Sequence, residues 1–227
     1  MGKDKLRKFK AIDGYKHVLQ PSVDEVREGF HMRGKWNTDF FPSNQPLVLE
    51  LGCGGGEYTV VLAQRDPKKN FLGMDIKGAR LWKGASQSKE ENLTNVGFLR
   101  TRIEWVEQCF APGEVDEIWI TFPDPQIKFQ RRKHRMINPD FLAIYQRVLK
   151  PGGCIHLKSD SEFLHGYLHG LISSMGLTIH ETYHDLYDQI LEQPMHEALA
   201  CKTFYEKMWL EQGKAITYLK FSFPLAN

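Results

Sequence analysis

A short apolar segment that runs into a cluster of glycines constrains the fold of this chain more than any other feature. Residues 47–51 are apolar apart from Glu50, and four glycines follow at once, namely Gly52, Gly54, Gly55 and Gly56. An apolar strand, a glycine loop and then a helix form the first unit of nucleotide-binding α/β folds. Glycine lets the backbone turn tightly and approach a ligand, because it carries no Cβ. The segment therefore predicts a strand whose carboxyl end faces a nucleotide-like ligand.

The loop differs from the dinucleotide-binding pattern at its last position. That pattern requires a third glycine where this chain has Glu57, which disfavours NAD and favours a cofactor without a pyrophosphate. About 20 residues after the loop, Asp75 lies at the end of a second apolar run, at the spacing typical of a ribose-binding acid. The two oxygens of its carboxylate suit the two hydroxyls of a ribose. Together the two segments predict a cofactor that contains a nucleoside.

Strand-like and helix-like segments alternate after residue 45. Strands are predicted at residues 46–52, 70–76, 95–101, 114–122, 153–159, 178–187 and 215–223. Helices are predicted at residues 57–66, 78–92, 102–110, 138–150 and 161–176. This alternation predicts an α/β fold with a doubly wound, mostly parallel sheet of seven strands and helices on both faces. A long polar segment separates the last two strands, which favours an antiparallel strand at the C-terminal end.

Positive charge is concentrated in two segments, although the formal net charge is only +2. Residues 1–45 lack sustained periodicity and begin with a basic cluster. We expect them to form a partly flexible N-terminal arm with one short helix near residues 23–30, followed by a main domain at 46–227. The second basic segment, residues 125–135, contains no acidic residue, and clusters of this kind neutralise phosphates. We expect RNA phosphates to be contacted by Arg131, Arg132, Lys133 and Arg135.

Cysteine usage and hydropathy disfavour several other classes of protein. The four cysteines lie far apart and form no CxxC pair, so we expect no bound metal. The basic N-terminus lacks the apolar core of a signal peptide, and no apolar run approaches transmembrane length. We therefore expect a cytoplasmic protein that does not associate with membranes.

Four acidic residues lie at or just after the ends of predicted strands, where ligands bind in doubly wound sheets. They are Glu50, Asp75, Asp124 and Asp160. Because the carboxyl ends of parallel strands meet at one edge, we expect these acids to share one crevice. Prolines on both sides of Asp124 restrict its backbone, and a rigid loop suits a side chain that must be held beside a reacting group.

Several linked motifs resemble those of the tRNA (guanine-N7-)-methyltransferase family, a family of Rossmann-like S-adenosylmethionine-dependent methyltransferases. The resemblance covers about residues 45–223. The motifs are Glu50-Leu-Gly-Cys-Gly54, Asn70-Phe-Leu-Gly-Met-Asp75, Phe122-Pro-Asp-Pro125 with Lys128 and the basic segment, His156-Leu-Lys-Ser-Asp160, and Thr203-Phe-Tyr-Glu206. The Phe122–Pro125 motif with its basic tail is the most specific of them.

The resemblance implies transfer of a methyl group from S-adenosyl-L-methionine to N7 of a guanine in tRNA, at position 46 of the variable loop. It implies cofactor contacts from Glu50, Gly52, Gly54, Asp75 and Asp124. It implies contacts with the target nucleoside or its surroundings from Lys128, Asp160, Thr203 and Glu206. Asp124 is the expected catalytic residue, since a negative charge stabilises a ring that becomes cationic on N7 methylation.

Two residues depart from the family pattern, and two other functions stay open. Gln126 stands where many members carry Trp, and Arg102 stands where many carry an acid near the cofactor adenine. Arginine cannot accept the hydrogens of the adenine amino group, so the adenine contact is left unassigned. The alternatives are a methyltransferase for another RNA base or for protein, and a non-catalytic RNA-binding subunit with the same fold. We expect a monomer or a weak homodimer.

Overall fold

One sheet of eight strands organises the chain, whose computed structural model describes residues 3–189 and 199–225. The strands are β1 (Val18–Leu19), β2 (Leu47–Leu51), β3 (Asn70–Met74), β4 (Val96–Leu99), β5 (Val115–Thr121), β6 (Leu149–Ser159), β7 (Thr178–Tyr183) and β8 (Thr217–Ser222). Their order across the sheet is β1-β4-β3-β2-β5-β6-β8-β7. The first six strands in this order run parallel, and β8 is antiparallel to both β6 and β7. The predicted α/β class and the antiparallel C-terminal strand are confirmed.

The sheet has one strand more than the seven that were predicted, and the additional strand is β1. It has two residues, too few to show the alternation by which strands are recognised in a sequence. Backbone hydrogen bonds define it instead. Phe98 N–H donates to the His17 carbonyl at 2.8 Å, and Arg100 N–H donates to the Leu19 carbonyl at 2.8 Å.

Helices cover both faces of the sheet. They are α1 (Lys3–Asp13), α2 (Val23–Gly29), α3 (Glu57–Arg65), α4 (Gly78–Glu90), α5 (Val106–Cys109), α6 (Pro139–Val148), α7 (Glu162–Met175), α8 (Leu186–Gln189) and α9 (Phe204–Glu211). Short 3-10 turns lie at Ile103–Trp105 and Phe129–His134, and a π-helical turn lies at Trp36–Phe40. Within the described ranges, none of these helices is both long and apolar enough to cross a membrane.

Three helices, α1, α8 and α9, were not expected from the sequence, and α8 begins within the strand predicted at residues 178–187, because β7 ends at Tyr183. Helix α1 is rich in lysine, but Leu6, Phe9 and Ile12 recur at helical spacing, so a short helical signal was present within the basic cluster. Helix α9 begins with a capping box, in which the Thr203 side chain accepts from the Glu206 N–H and the Glu206 carboxylate accepts from the Thr203 N–H. Thr-x-x-Glu is a recognised helix start, so this signal was present in the sequence.

Side chains from the N-terminal arm contribute to the cores on both faces of the sheet. Phe30 and Trp36 belong to one core, and Ile12 and Val18 belong to the other. The Trp36 indole is fully buried, and its Nε1 donates to the Cys109 carbonyl at 3.0 Å. These residues of the arm therefore pack against the sheet. The division at residue 45 and the partial flexibility of the arm stay predictions.

The glycine loop lies against helix α4 at a distance that only glycine permits. Gly84 N–H donates to the Gly55 carbonyl at 2.8 Å. A Cβ at Gly84 would lie 2.8 Å from the same carbonyl oxygen and 3.0 Å from the Gly56 Cα. Both neighbours are backbone atoms, so the clash cannot be relieved by a side-chain rotation. Gly84 therefore sets the position of the loop.

Replacing Gly84 with alanine is expected to lower the free energy of unfolding by about 1–3 kcal/mol, the usual cost of overpacking. Urea unfolding measures this change. The matched control is Gly166→Ala in α7, where no atom lies within 4 Å of the added Cβ. Because alanine is the better helix former, the control is expected to be up to about 1 kcal/mol more stable than the wild type. Equal stability of Gly84→Ala and the wild type would contradict the packing argument.

Candidate cofactor and substrate site

A cavity of about 530 Å³ lies beyond the carboxyl ends of β2, β3 and β5. Its size suits a nucleoside-sized ligand. Of the residues predicted for the site, five line this cavity: Glu50, Gly52, Gly54, Asp75 and Thr203. Its walls also include residues that were not predicted, among them Trp82, Lys83, Phe122, Phe204 and Tyr205. The parallel sheet thus brings the cofactor motifs together, as expected for a doubly wound fold.

Glu50 is a buried acid at the floor of this cavity, with 2% of its surface exposed. The Thr121 hydroxyl donates to Glu50 Oε1 at 2.7 Å, and the Thr59 hydroxyl donates to Oε2. No cation pairs with it in the part of the chain that the structure describes. Burial raises the pKa of Glu50 to about 7, against the lowering effect of the two hydroxyls. The carboxylate is therefore poised to pair with a cationic group of a ligand.

Asp75 ties the glycine loop to the end of β3. Its Oδ2 accepts from Gly54 N–H at 3.0 Å, and its Oδ1 accepts from Lys77 N–H at 2.7 Å. Gly52 and Gly54 have φ angles of +70° and +57°, which residues other than glycine rarely adopt. Asp75 and these glycines together form an open cradle on one side of the cavity.

The loop that carries Asp124 is strained on both sides. Phe122 and Gln126 have φ angles of +48° and +45°, which are uncommon for residues with a Cβ. Asp124 is exposed, and its Oδ1 accepts from Gln126 N–H at 3.0 Å. Phe122 lines the cavity, whereas Asp124 lies two residues further along the chain and is not part of the lining. Strain of this kind is common where a structure holds a functional loop in place.

Glu206 does not lie where a contact with the target nucleoside requires it. It is fully buried, and Lys158 Nζ lies 2.7 Å from its Oε1. The Tyr187 hydroxyl donates to Oε1 at 2.5 Å, and Thr203 N–H donates to Oε2 at 3.3 Å. Both carboxylate oxygens are therefore occupied by the protein. The expectation of a direct Glu206 contact is corrected to a role beneath the cavity wall, because the carboxylate has no exposed surface.

Arg135 differs from the other members of the basic segment. Lys128, Arg131, Arg132 and Lys133 are exposed, but Arg135 is only 7% exposed. Its guanidinium lies 4.8 Å from the ring centre of Phe163 and 4.7 Å from that of Tyr167. It also donates to the carbonyls of Gln126 and Ile127. The expected phosphate contact by Arg135 is therefore corrected to support of the loop from within.

The remaining predicted residues lie outside the cavity lining. Asp160 is paired with Lys214, whose Nζ lies 3.4 Å from Oδ2. The Arg102 guanidinium lies 5.6 Å from the ring centre of Trp105, and the contact with the cofactor adenine stays unassigned. Beside it, the Thr101 hydroxyl is buried and, among the described residues, has no hydrogen-bond partner. Thr101 is not part of the lining of the 530 Å³ cavity.

Glu117, Cys154 and His156 form the one group of potential metal ligands among the described residues. Their atoms already have protein partners. Lys69 Nζ lies 2.8 Å from Glu117 Oε1, and Cys154 Sγ lies 3.2 Å from His156 Nε2. His156 Nδ1 is hydrogen bonded to the Tyr218 hydroxyl at 2.8 Å. The group is a satisfied polar network within the sheet.

Comparisons with known proteins show which family and fold this chain resembles. A family described as "Putative methyltransferase" matches residues 44–219. A Christiangramia forsetii protein named tRNA (guanine-N(7)-)-methyltransferase is 53% identical over 220 residues, covering 96% of this chain and 97% of its own length. A Porphyromonas gingivalis protein of the same name is 49% identical over 213 residues, covering 92% and 86%. The solved 16S rRNA methyltransferase KamB is similar in fold, with a TM-score of 0.61 and 15% identity, covering 89% and 94%.

The raised pKa of Glu50 predicts a pH-dependent difference in stability between the wild type and Glu50→Gln. The folded wild type holds the Glu50 proton up to about pH 7, whereas the unfolded chain releases it near pH 4.5. Wild-type stability therefore falls relative to the variant as the pH rises through this window, by roughly 3 kcal/mol in total. Urea unfolding of both proteins at pH 5 and pH 8 measures the difference. A difference that does not change with pH would refute the assignment.

Proposed function

The chain belongs to the tRNA (guanine-N(7)-)-methyltransferase family, and from this premise we propose that it methylates guanine 46 in the variable loop of tRNA. S-adenosyl-L-methionine is the methyl donor. The observation that carries the proposal is the arrangement of Glu50, the glycine cradle and Asp75 around one cavity. A cytoplasmic location, and a monomer or weak homodimer, complete the proposal.

The residues around the cavity fit S-adenosyl-L-methionine. The buried Glu50 carboxylate lacks a cation, and the α-ammonium of the cofactor supplies one, directly or through a water molecule. The glycine cradle leaves room for the methionine portion, and Asp75 has the acceptor oxygens that a ribose requires. When bound, the cofactor supplies an electrophilic methyl group on a sulfonium.

The protein's contribution to the reaction is alignment and charge. N7 of guanine carries a free lone pair, so no residue has to remove a proton from it before attack. The strained loop at Phe122–Gln126 holds Asp124 near the cavity, which limits the motion of its carboxylate. As the methyl group transfers, the guanine ring gains positive charge, and the Asp124 carboxylate stabilises that charge. Asp124 accepts hydrogen bonds from the guanine N1–H and amino group in this proposal and acts as no general base.

The exposed part of the basic segment provides the contact with the tRNA backbone. Lys128, Arg131, Arg132 and Lys133 remain available to phosphates, since each is exposed to solvent. Arg132 stacks over Phe129, with the guanidinium 4.0 Å from the ring centre. Buried Arg135, the last residue of the segment, donates to the carbonyls of Gln126 and Ile127 near its start, and these bonds hold the two ends of the segment together. The segment therefore presents its charge from a supported loop beside Asp124.

The proposed function is tested by transfer of a labelled methyl group to unmodified tRNA transcripts. We expect the label in 7-methylguanosine, located by chemical cleavage at position 46. A transcript with adenine at position 46 is the matched control and should accept no label there. Label at another nucleotide would overturn the position, and the absence of transfer to any tRNA would overturn the function.

Asp124→Asn is expected to reduce the turnover number by about 100-fold at saturating cofactor and tRNA, because it removes the charge that stabilises the cationic ring. The affinity for the cofactor, measured by calorimetry, should change much less. Asp140→Asn, which alters an exposed acid in the first turn of α6, is the matched control and should retain wild-type turnover. Turnover of Asp124→Asn close to that of the wild type would contradict the charge argument.

A further inference from the structure

Two aromatic side chains at the start of α9 line the cavity and remain open to solvent. Phe204 is 64% exposed and Tyr205 is 51% exposed. Their ring centres are 5.6 Å apart and the rings are nearly perpendicular, at 78°. Large aromatic residues exposed side by side in a ligand cavity are unfavourable in water and are typical of binding surfaces. None of the proposed cofactor contacts involves this pair.

The backbone beneath this pair is held from two directions. Phe204 N–H donates to Glu57 Oε2 at 3.0 Å, and Glu57 is itself paired with Lys83 at the rim of the cavity. From the sheet, the ammonium of Lys158 donates to the carbonyls of Leu199 and Cys201 at 2.9 and 3.0 Å.

The ion pair between Lys158 and Glu206 completes this support. Both side chains are fully buried. Glu206 also forms the capping box with Thr203, and these two residues directly precede and follow the two aromatic residues in the sequence. Lys158 lies on β6, next to β5, whose last residue Thr121 contacts Glu50. The pair therefore fixes the aromatic residues to the same rigid sheet that positions the cofactor site.

The position of the rings restricts the ligand they can take. An enzyme that modifies a base must take that base out of its stack, and the freed base then needs a new stacking partner. Aromatic side chains provide this surface for unpaired bases. Lys202 and Lys207 flank the segment, and both are exposed, so the surroundings also favour a polyanion. The chemistry of the surface matches an unpaired base attached to a phosphate backbone.

We propose that Phe204 and Tyr205 form the stacking surface for the guanine that receives the methyl group, and that the buried Lys158–Glu206 pair positions this surface. The inference rests on the proposed function, because it places the target base in the cavity that holds the cofactor. It also gives Glu206 a positioning role in place of a direct contact with the base.

The stacking surface is tested with the double variant Phe204→Leu/Tyr205→Leu, which keeps apolar bulk but removes both rings. We expect the KM for tRNA to rise at least tenfold, with cofactor affinity unchanged by calorimetry. Phe204→Tyr and Tyr205→Phe, which keep the rings, should bring the KM back towards the wild-type value. Ile179→Ala, which alters an exposed apolar residue on β7, is the control outside the cavity. An unchanged KM in the double leucine variant would overturn the proposal.

Salt dependence separates stacking from phosphate contact. The variant with alanine at Arg131, Arg132 and Lys133 should show a shallower dependence of tRNA affinity on salt, because it removes phosphate contacts. The double leucine variant should keep the wild-type dependence while binding more weakly at every salt concentration. A shallower dependence in the leucine variant would show that the rings act through the backbone, and would overturn the stacking assignment.

The positioning role is tested with Lys158→Met/Glu206→Gln, which removes both charges together and leaves no unpaired buried charge. We expect a raised KM for tRNA, and little further rise when the two rings are also replaced by leucine. Fully additive effects would overturn the positioning role. If the wild type methylates guanine 46 and the leucine variant behaves identically, the stacking proposal alone fails. If the wild type labels no tRNA, the proposed function fails first.

Discussion

The candidate site depends on one unfavourable placement, a carboxylate buried at the carboxyl end of the central strand. Glu50 lies in register with Gly73 on one side and Trp119 on the other, and only 2% of its surface is exposed. Its partners are hydroxyl groups, which satisfy its oxygens but do not neutralise its charge. The protein thus carries a cost that a cationic ligand relieves. The glycine loop, held by Asp75 and Gly84, borders the same cavity and gives such a ligand its place.

The second buried acid at this end of the sheet shows the opposite arrangement. Glu206 has a cationic partner in Lys158, a hydroxyl from Tyr187 and a backbone N–H, so its charge is compensated within the protein. Breaking such a pair is costly, because the remaining charge stays buried alone. A compensated acid stabilises the cavity wall, whereas an uncompensated acid such as Glu50 marks the place of a ligand. Burial alone does not distinguish these two roles, and the partners do.

Most of the sheet, and the grouping of Glu50, the glycine loop and Asp75 around one cavity, were predictable, because they depend on local signals. The strand-loop-helix unit at Glu50 and the acid at Asp75 are read from neighbouring residues, and parallel pairing then brings them together. The errors arose where long-range packing decides the outcome. Nothing local distinguishes Arg135, which turns inward onto two rings of α7, from the arginines beside it that remain exposed. The burial of Glu206 likewise depends on Lys158, which lies far away in the sequence.

The loop that carries Asp124 borders the cavity through Phe122 and contacts the Lys158–Glu206 pair through the backbone of Lys158. Phe122 N–H donates to the Lys158 carbonyl at 2.8 Å, so the start of the strained loop is bound to the residue that pairs with Glu206. The end of the loop is held by Arg135 through the Gln126 carbonyl. The positive φ angles at Phe122 and Gln126 persist because both ends are fixed in this way. The Lys158 backbone and the buried Arg135 side chain therefore hold the two ends of the loop that carries Asp124, which in the proposed function positions that carboxylate for the reaction.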